Sequence, residues 1–200
     1  MASQGPNSGG TFVGDNADST GLPNTSMGQM FNPGRVAAND GSYQNAEGNV
    51  GANWKDGFVK LIKGGTISGN NKATATNLPT SDTGAYTSYG GAADLWGVTL
   101  SQSDVEASTF GVAISTQFSG NYTYWLKVTN FGLSLPAGST IDGVLMEVNW
   151  YWDGSRSQID HVRMTVYYTA SSSGQPTMRR FSQAKGFRPV EIGRTGGAIA

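Results

Sequence analysis

Proton transfer near neutral pH calls for a histidine, and this chain has one, His161. A serine-type triad would have to orient it with Asp160. Consecutive residues of a strand point to opposite faces, so that carboxylate is poorly placed for the imidazole, and His161 is expected at a surface or interface. Zinc needs several His or Cys ligands, and there is no cysteine. Asp82, Asp94, Asp104, Glu106, Asp142, Glu147 and Asp153 could in principle pair as acid and base for glycoside hydrolysis. Most of them fit turn or cap positions, where short acidic side chains bond the local backbone. The segment GGTISGNNK lacks the GxxxxGK(S/T) spacing of a phosphate loop and opens no helix, so it reads as a turn. Asp15-Asn16-x-Asp18 could contact calcium but lacks the glycine and distal glutamate of an EF-hand loop. No catalytic, cofactor-binding or metal-binding residue is assigned.

Aromatic side chains suggest binding instead. By parity Trp150 falls on an inner strand face, whereas Trp125 and Tyr151 point outward. Tyr86, Tyr89 and Trp96 stud a long polar connection. Tyr86, Tyr89, Trp96 and Trp125 are therefore the candidates for stacking a ligand such as a sugar. Exposed aromatics mark interfaces in general, so protein contact is favoured over sugar contact.

The elements that must hold these residues read as strands. From Asp142 to Thr169 the pattern has period two: Val144, Met146, Val148 and Trp150 on one face, then Val162, Met164, Val166 and Tyr168. Asp153-Gly154 between them supplies the turn of a β-hairpin, which needs further strands to close a core over it. Phe110, Val112, Ile114, Thr116 and Phe118 alternate, as do Tyr122, Tyr124, Leu126 and Val128, and Gly120-Asn121 joins them as a second hairpin. Phe58 to Lys63 is a strand ending at Gly64-Gly65, and a short strand lies around Ser42 to Ala46. Ser103 and Glu106 have the spacing of a capping box for one helical turn. The polar connection after Gly65 has the length of a loop that is functional or wrapped tightly onto the body.

With 200 residues, 29 glycines and 14% charged residues, the chain reads as all-β with one domain and extended appendages. A net charge of −1 supplies no basic field for nucleic acid or an anionic membrane. The N-terminus shows neither a basic n-region nor an apolar h-region, and no run has the length of a transmembrane helix, so a soluble protein without a classical export signal is expected. The expected architecture is an antiparallel β-sandwich of jelly-roll character with extended N- and C-terminal arms. Residues 1–35 form the N-terminal arm, 36–170 the sandwich and 171–200 a basic C-terminal arm. The arms carry isolated residues that could dock on a neighbour: Phe12 and Phe31 in the first, and Arg179, Arg180, Phe181, Lys185, Phe187, Arg188 and Arg194 in the second. Arginines alternating with phenylalanine suit a groove on an acidic protein at least as well as nucleic acid.

Several blocks between about Lys55 and Thr169, FVKLIKGGTISGNNKA, YTSYGGAADLWGVTLSQSDVEASTFGVAIS, YWLKVTNFGLSLPAGSTIDGVLMEV and IDHVRMTVYYT, resemble a widespread group of structural proteins of tailed bacteriophages. In that group LVKGG, YGG with DLWG, ADINASNFGVA, YLKATNFGFSIPSGATIDGI and DHVRVTVYYT recur. One departure is the order: the block like Tyr124 to Val148 usually precedes the block like Val59 to Ile114, and here it follows. Strand-by-strand transfer is therefore not made. The resemblance implies a non-enzymatic virion protein made in the host bacterial cytoplasm. Such a protein is a capsid decoration or cement protein or, alternatively, a tail, adaptor or fibre component with a carbohydrate-binding or receptor-binding sandwich. Its implied partners are a major capsid or tail protein and copies of itself, with no cofactor, no specific nucleic acid and no membrane.

Overall fold

In a computed structural model, residues 1–15, 44–47, 53–118, 121–152 and 156–171 are described, and among them the regular structure is strand apart from one short helix. In chain order the elements are β1 (Ala2–Ser8), β2 (Thr11–Asp15), β3 (Gln44–Glu47), β4 (Lys55–Lys63), β5 (Thr66–Ser68), β6 (Thr87–Gly90), α1 (Gln102–Glu106), β7 (Gly111–Phe118), β8 (Asn121–Tyr122), β9 (Trp125–Thr129), β10 (Thr140–Trp152) and β11 (Arg156–Thr169). They make two antiparallel sheets. The first runs β1-β11-β10-β6, with β3 also on β11, and the second runs β2-β9-β7-β4-β5, with β8 on β7.

The period-two pattern explains the core. Val144, Met146 and Val148 stand opposite Val166, Met164 and Val162, and all six are buried. They face Val59, Leu61, Val112, Ile114, Leu126 and Val128 of the second sheet in one apolar cluster. The two sheets thus pack as a sandwich over a shared core. The expected β10–β11 hairpin is present, although its turn, Asp153-Gly154, lies outside the described residues. Its register carries a bulge that parity did not foretell. Asn149 faces His161 and Trp150 faces Ile159, so Asp160 is the extra residue and Ile159 enters the core beside Trp150.

The second expected hairpin, β7 with β8 and β9, also forms. An irregularity at Thr123, whose hydroxyl accepts from the Thr116 N–H, interrupts the alternation. As a result Leu126 and Val128 enter the core, while Tyr122 packs against Phe58 at 4.9 Å between centroids. Gly64 and Gly65, at φ of 57° and 79°, make the two-residue turn that pairs Lys63 with Thr66. The helix starts two residues earlier than its expected capping box. Ser101 is the N-cap, bonded reciprocally with Asp104, because Ser101 is the residue with extended backbone. Glu106 instead accepts the Leu135 N–H.

The long connection is wrapped onto the body, as its length allowed. Asp56, buried on β4, accepts the N–H groups of Thr74 and Thr76, and the hydroxyls of Thr74 and Tyr89. Lys72 pairs with Asp94 at 2.7 Å, and the Trp96 indole donates to the Val144 carbonyl at 2.9 Å.

Within the arm expected over 1–35, residues 2–8 and 11–15 lie along the body. They are paired: β1 on the edge of β11, β2 on the edge of β9. The physical reason is that an edge strand draws its order from backbone bonds to its neighbour, so ASQGPNS needs no apolar alternation of its own. Residues 16–35 and 172–200 lie outside the described residues.

Replacing Asp56 with alanine would take the acceptor from two part-buried backbone donors and from the buried Tyr89 hydroxyl. Asp56→Ala is expected to lower stability by about 3 kcal/mol or more, read as a fall in urea midpoint.

Candidate functional site

A group of interacting polar side chains lies on the outer face of the first sheet, opposite the core. Parity on β11 sends His161 and Arg163 outward. Glu147 of β10 sits directly across from Arg163, and Ser8 of β1 directly across on its other side. Tyr86, just before β6, reaches over the same face. Its hydroxyl is 2.7 Å from His161 Nδ1, and Ser8 Oγ is 2.8 Å from His161 Nε2. The Arg163 guanidinium lies over the Tyr86 ring at 3.7 Å and grips Glu147 with two hydrogen bonds of 2.9 and 3.1 Å. The carboxylate holds the Arg163 pKa above its ordinary value. His161 is 7% exposed, a correction to its expected surface position, because β1 and Tyr86 cover it. Burial, and then the Arg163 charge, pushes its pKa below the ordinary imidazole value.

A serine beside a histidine whose other nitrogen meets a third side chain has the outline of a nucleophile and its base. The surroundings favour a different use. A cation over the Tyr86 ring makes the phenol a better donor, which favours Tyr86 O–H donating to Nδ1 and Nε2–H donating to Ser8 Oγ. In that tautomer the imidazole has no lone pair for the serine proton. The two amides after Ser8 are also committed: Gly9 N–H to the Val162 carbonyl, and Gly10 N–H to those of Thr129 and Asn130. Neither can serve as an oxyanion donor. What the arrangement does is clasp β1 to β11. Asn7 adds a bond to the Phe131 carbonyl at 2.9 Å, and the Gln4 side chain accepts the Ser134 N–H at 2.8 Å.

The carboxylates singled out by sequence are occupied locally. Asp82 accepts the Gly84 N–H, Asp94 that of Trp96, Asp104 caps α1, Asp142 accepts the Thr169 hydroxyl and Glu147 holds Arg163. Asp153 lies outside the described residues. Among the described residues no three His, Asp or Glu side chains gather as a metal site. Asp15 ends β2 opposite Trp125, and Asn16 and Asp18 lie outside the described residues.

Of the stacking candidates, Tyr86 joins the clasp and the other three are corrected. Tyr89, Trp96 and Trp125 are 4%, 0% and 2% exposed and have no face to offer a ligand. Tyr89 donates to Asp56, and burial, then the Asp56 charge, raises its pKa. Trp96 plugs the core. Trp125 does point away from the main core, as parity required, but a second small cluster with Ile62, Ala113 and Phe58 covers it. Phe12 lies in β2 opposite Val128. Phe31, Arg179, Arg180, Phe181, Lys185, Phe187, Arg188 and Arg194 lie outside the described residues. Sequence reasoning passed over Gln4, Asn7 and Ser8, since polar residues in a glycine-rich stretch carry no period of their own; their role comes from β11.

On the outer face of the second sheet lies an open groove of about 530 Å³, lined by Thr11, Val13, Ile62, Thr109, Lys127 and Thr129 among others. Comparison with models of known protein families, with curated proteins and with solved structures finds no match.

Two outcomes follow. Trp125→Ala and Trp96→Ala should each lower stability by about 3–5 kcal/mol in chemical denaturation, the cost of emptying a buried aromatic site. His161, with its pKa depressed in the fold, binds fewer protons folded than unfolded. Its contribution to stability is complete above about pH 6.5 and falls as pH drops from there toward the lowered folded value. Urea midpoints at pH 7.5 and 5.5 should therefore differ less for His161→Gln than for the native chain.

Proposed function

We propose that this chain is a non-enzymatic structural protein of a tailed-bacteriophage virion. Its place is that of a capsid decoration or cement protein whose terminal segments bind neighbouring subunits. The observation that carries the reading is the placement of residues 2–15: a polar segment held almost wholly by backbone pairing and side-chain clasps along the edges of a rigid sandwich. Segments of this kind add contact area between subunits without requiring a core of their own. The resemblance between Lys55 and Thr169 points the same way, and so does the commitment of Ser8, His161 and the acidic side chains to structural bonds. We assign the sandwich jelly-roll character because the chain repeatedly crosses between its sheets, as from β1 to β2 and from β9 to β10.

The groove at Val13 and Ile62 favours a second reading, a tail, adaptor or fibre component that meets a receptor there. Aromatic stacking does not enter it, because Tyr89, Trp96 and Trp125 are buried.

The test is cosedimentation of the purified full-length chain with phage heads and with tails stripped of it, followed by cryo-electron microscopy. Saturable binding to heads at a copy number fixed by the lattice is the expected result. Binding at the tail alone would select the second reading, and no binding to either part would reject both.

A further inference from the structure

The outer faces of the two sheets differ in how their charges are matched. On the first sheet Arg163 is gripped by Glu147. On the second, β4 turns Lys55, Phe58, Lys60 and Ile62 outward, because Val59 and Leu61 enter the core and a bulge lies between Asp56 and Phe58. Lys55 and Lys60 are half-buried, and neither ammonium makes a hydrogen bond or ion pair with the described residues. Between them Phe58 packs on Tyr122 and Trp125, with ring centroids 4.9 and 5.7 Å away. Further across the face Gly111 stands in one row with Thr129 and Ile62. It has no side chain, so the face dips there into the groove that Val13 and Lys127 also line. Val13 is 50% exposed, a large apolar side chain left in water. Among the described strand residues of this face Asp15, paired with Trp125 at the end of β2, is the one carboxylate.

Lysines in water are ordinary surface by themselves. Here two cations without partners stand about 13 Å apart along one strand, with an aromatic ring between them and an apolar groove alongside. That pattern complements carboxylates set around an apolar side chain. Nucleic acid fits it less well, because Trp125 is buried and offers no ring on which a base stacks. We infer that the outer face of the second sheet, from Lys55 and Lys60 to the groove at Val13, is a docking surface for an acidic segment of a partner protein. Carboxylates of the segment meet the two lysines, and an apolar side chain of it fills the dip at Gly111. The inference deepens the assembly reading by giving the chemistry of the partner, and it rests on that reading only in that a partner exists.

The test applies the labelled full-length chain to an array of octapeptides that permute Glu, Lys, Leu and Ser. Signal should rise with glutamate content, rise further where leucine stands among the glutamates, and fall at about 0.5 M salt. Lys55→Glu/Lys60→Glu should lower it at least about tenfold with the urea midpoint unchanged, since neither ammonium has a partner to lose. If that double variant is destabilised, Lys60→Gln is read in its place. Val13→Ser should weaken binding to the leucine-containing peptides alone. Signal that follows lysine content, or that survives the lysine substitutions, overturns the inference. Tighter binding of a short heparin fragment or of oligothymidylate than of any peptide also overturns it, by making the partner a polyanion that is not a protein. Phage heads bound equally by the native chain and the double variant, with no peptide bound, would sink this surface and leave the assembly reading. Peptide binding without head binding would do the reverse.

Discussion

A buried carboxylate holds this sandwich in register. Asp56 sits on β4 of the second sheet, takes the backbone N–H groups of Thr74 and Thr76 and the hydroxyl of Thr74, and receives the hydroxyl of Tyr89 from β6 of the first. One side chain thereby ties both sheets to the polar connection running between them. That connection has few apolar residues to bury, and this acceptor pairs its part-buried backbone donors. Trp96 completes the fastening from the other end by filling the core and donating to the Val144 carbonyl. The positive φ of Trp96, 59°, shows how far the backbone bends to seat that ring.

Once the connection is fixed, Tyr86 is fixed with it, and the outer face of the first sheet acquires its pattern. Glu147, Arg163, Tyr86, His161 and Ser8 form a continuous chain of contacts from β10 across β11 to the edge strand β1. Each link satisfies a polar group that would otherwise be left on a partly covered sheet. The same residue types in an open cleft, with free amides after the serine, would suggest acyl transfer. Here the amides of Gly9 and Gly10 carry the chain between the sheets instead. The difference between a reactive cluster and a structural one lies in the backbone around it, which residue types alone do not disclose.

Much of the body was legible in the sequence. Val144 to Trp150 and Val162 to Val166 announced their faces by alternation, because a half-buried strand must repeat every second residue. Gly64-Gly65 announced its turn, because only glycine takes two successive left-handed conformations cheaply. The bulge at Asp160 was hidden, since an inserted residue leaves composition unchanged and shows only in pairing. Tyr89, Trp96 and Trp125 looked like a binding surface because parity says which way a side chain leaves its strand, and says nothing of what packs over it. The strands at Ala2–Ser8 and Thr11–Asp15 were missed for a related reason. Their order comes from partners more than a hundred residues away, and local pattern carries no trace of them.

That distance bears on how the molecule comes to be folded. Ala2 pairs with Tyr168 and Phe12 with Val128, so each of these strands must wait for a partner made more than a hundred residues later. Contacts of such sequence separation close slowly, because the whole intervening loop loses its freedom before they form. In the interval β9 and β11 present bare edges, the sites at which nascent β proteins pair with the wrong strand. The order of synthesis therefore sets the period of greatest exposure to aggregation, which ends when the crossing at Gly9-Gly10 settles across both sheets.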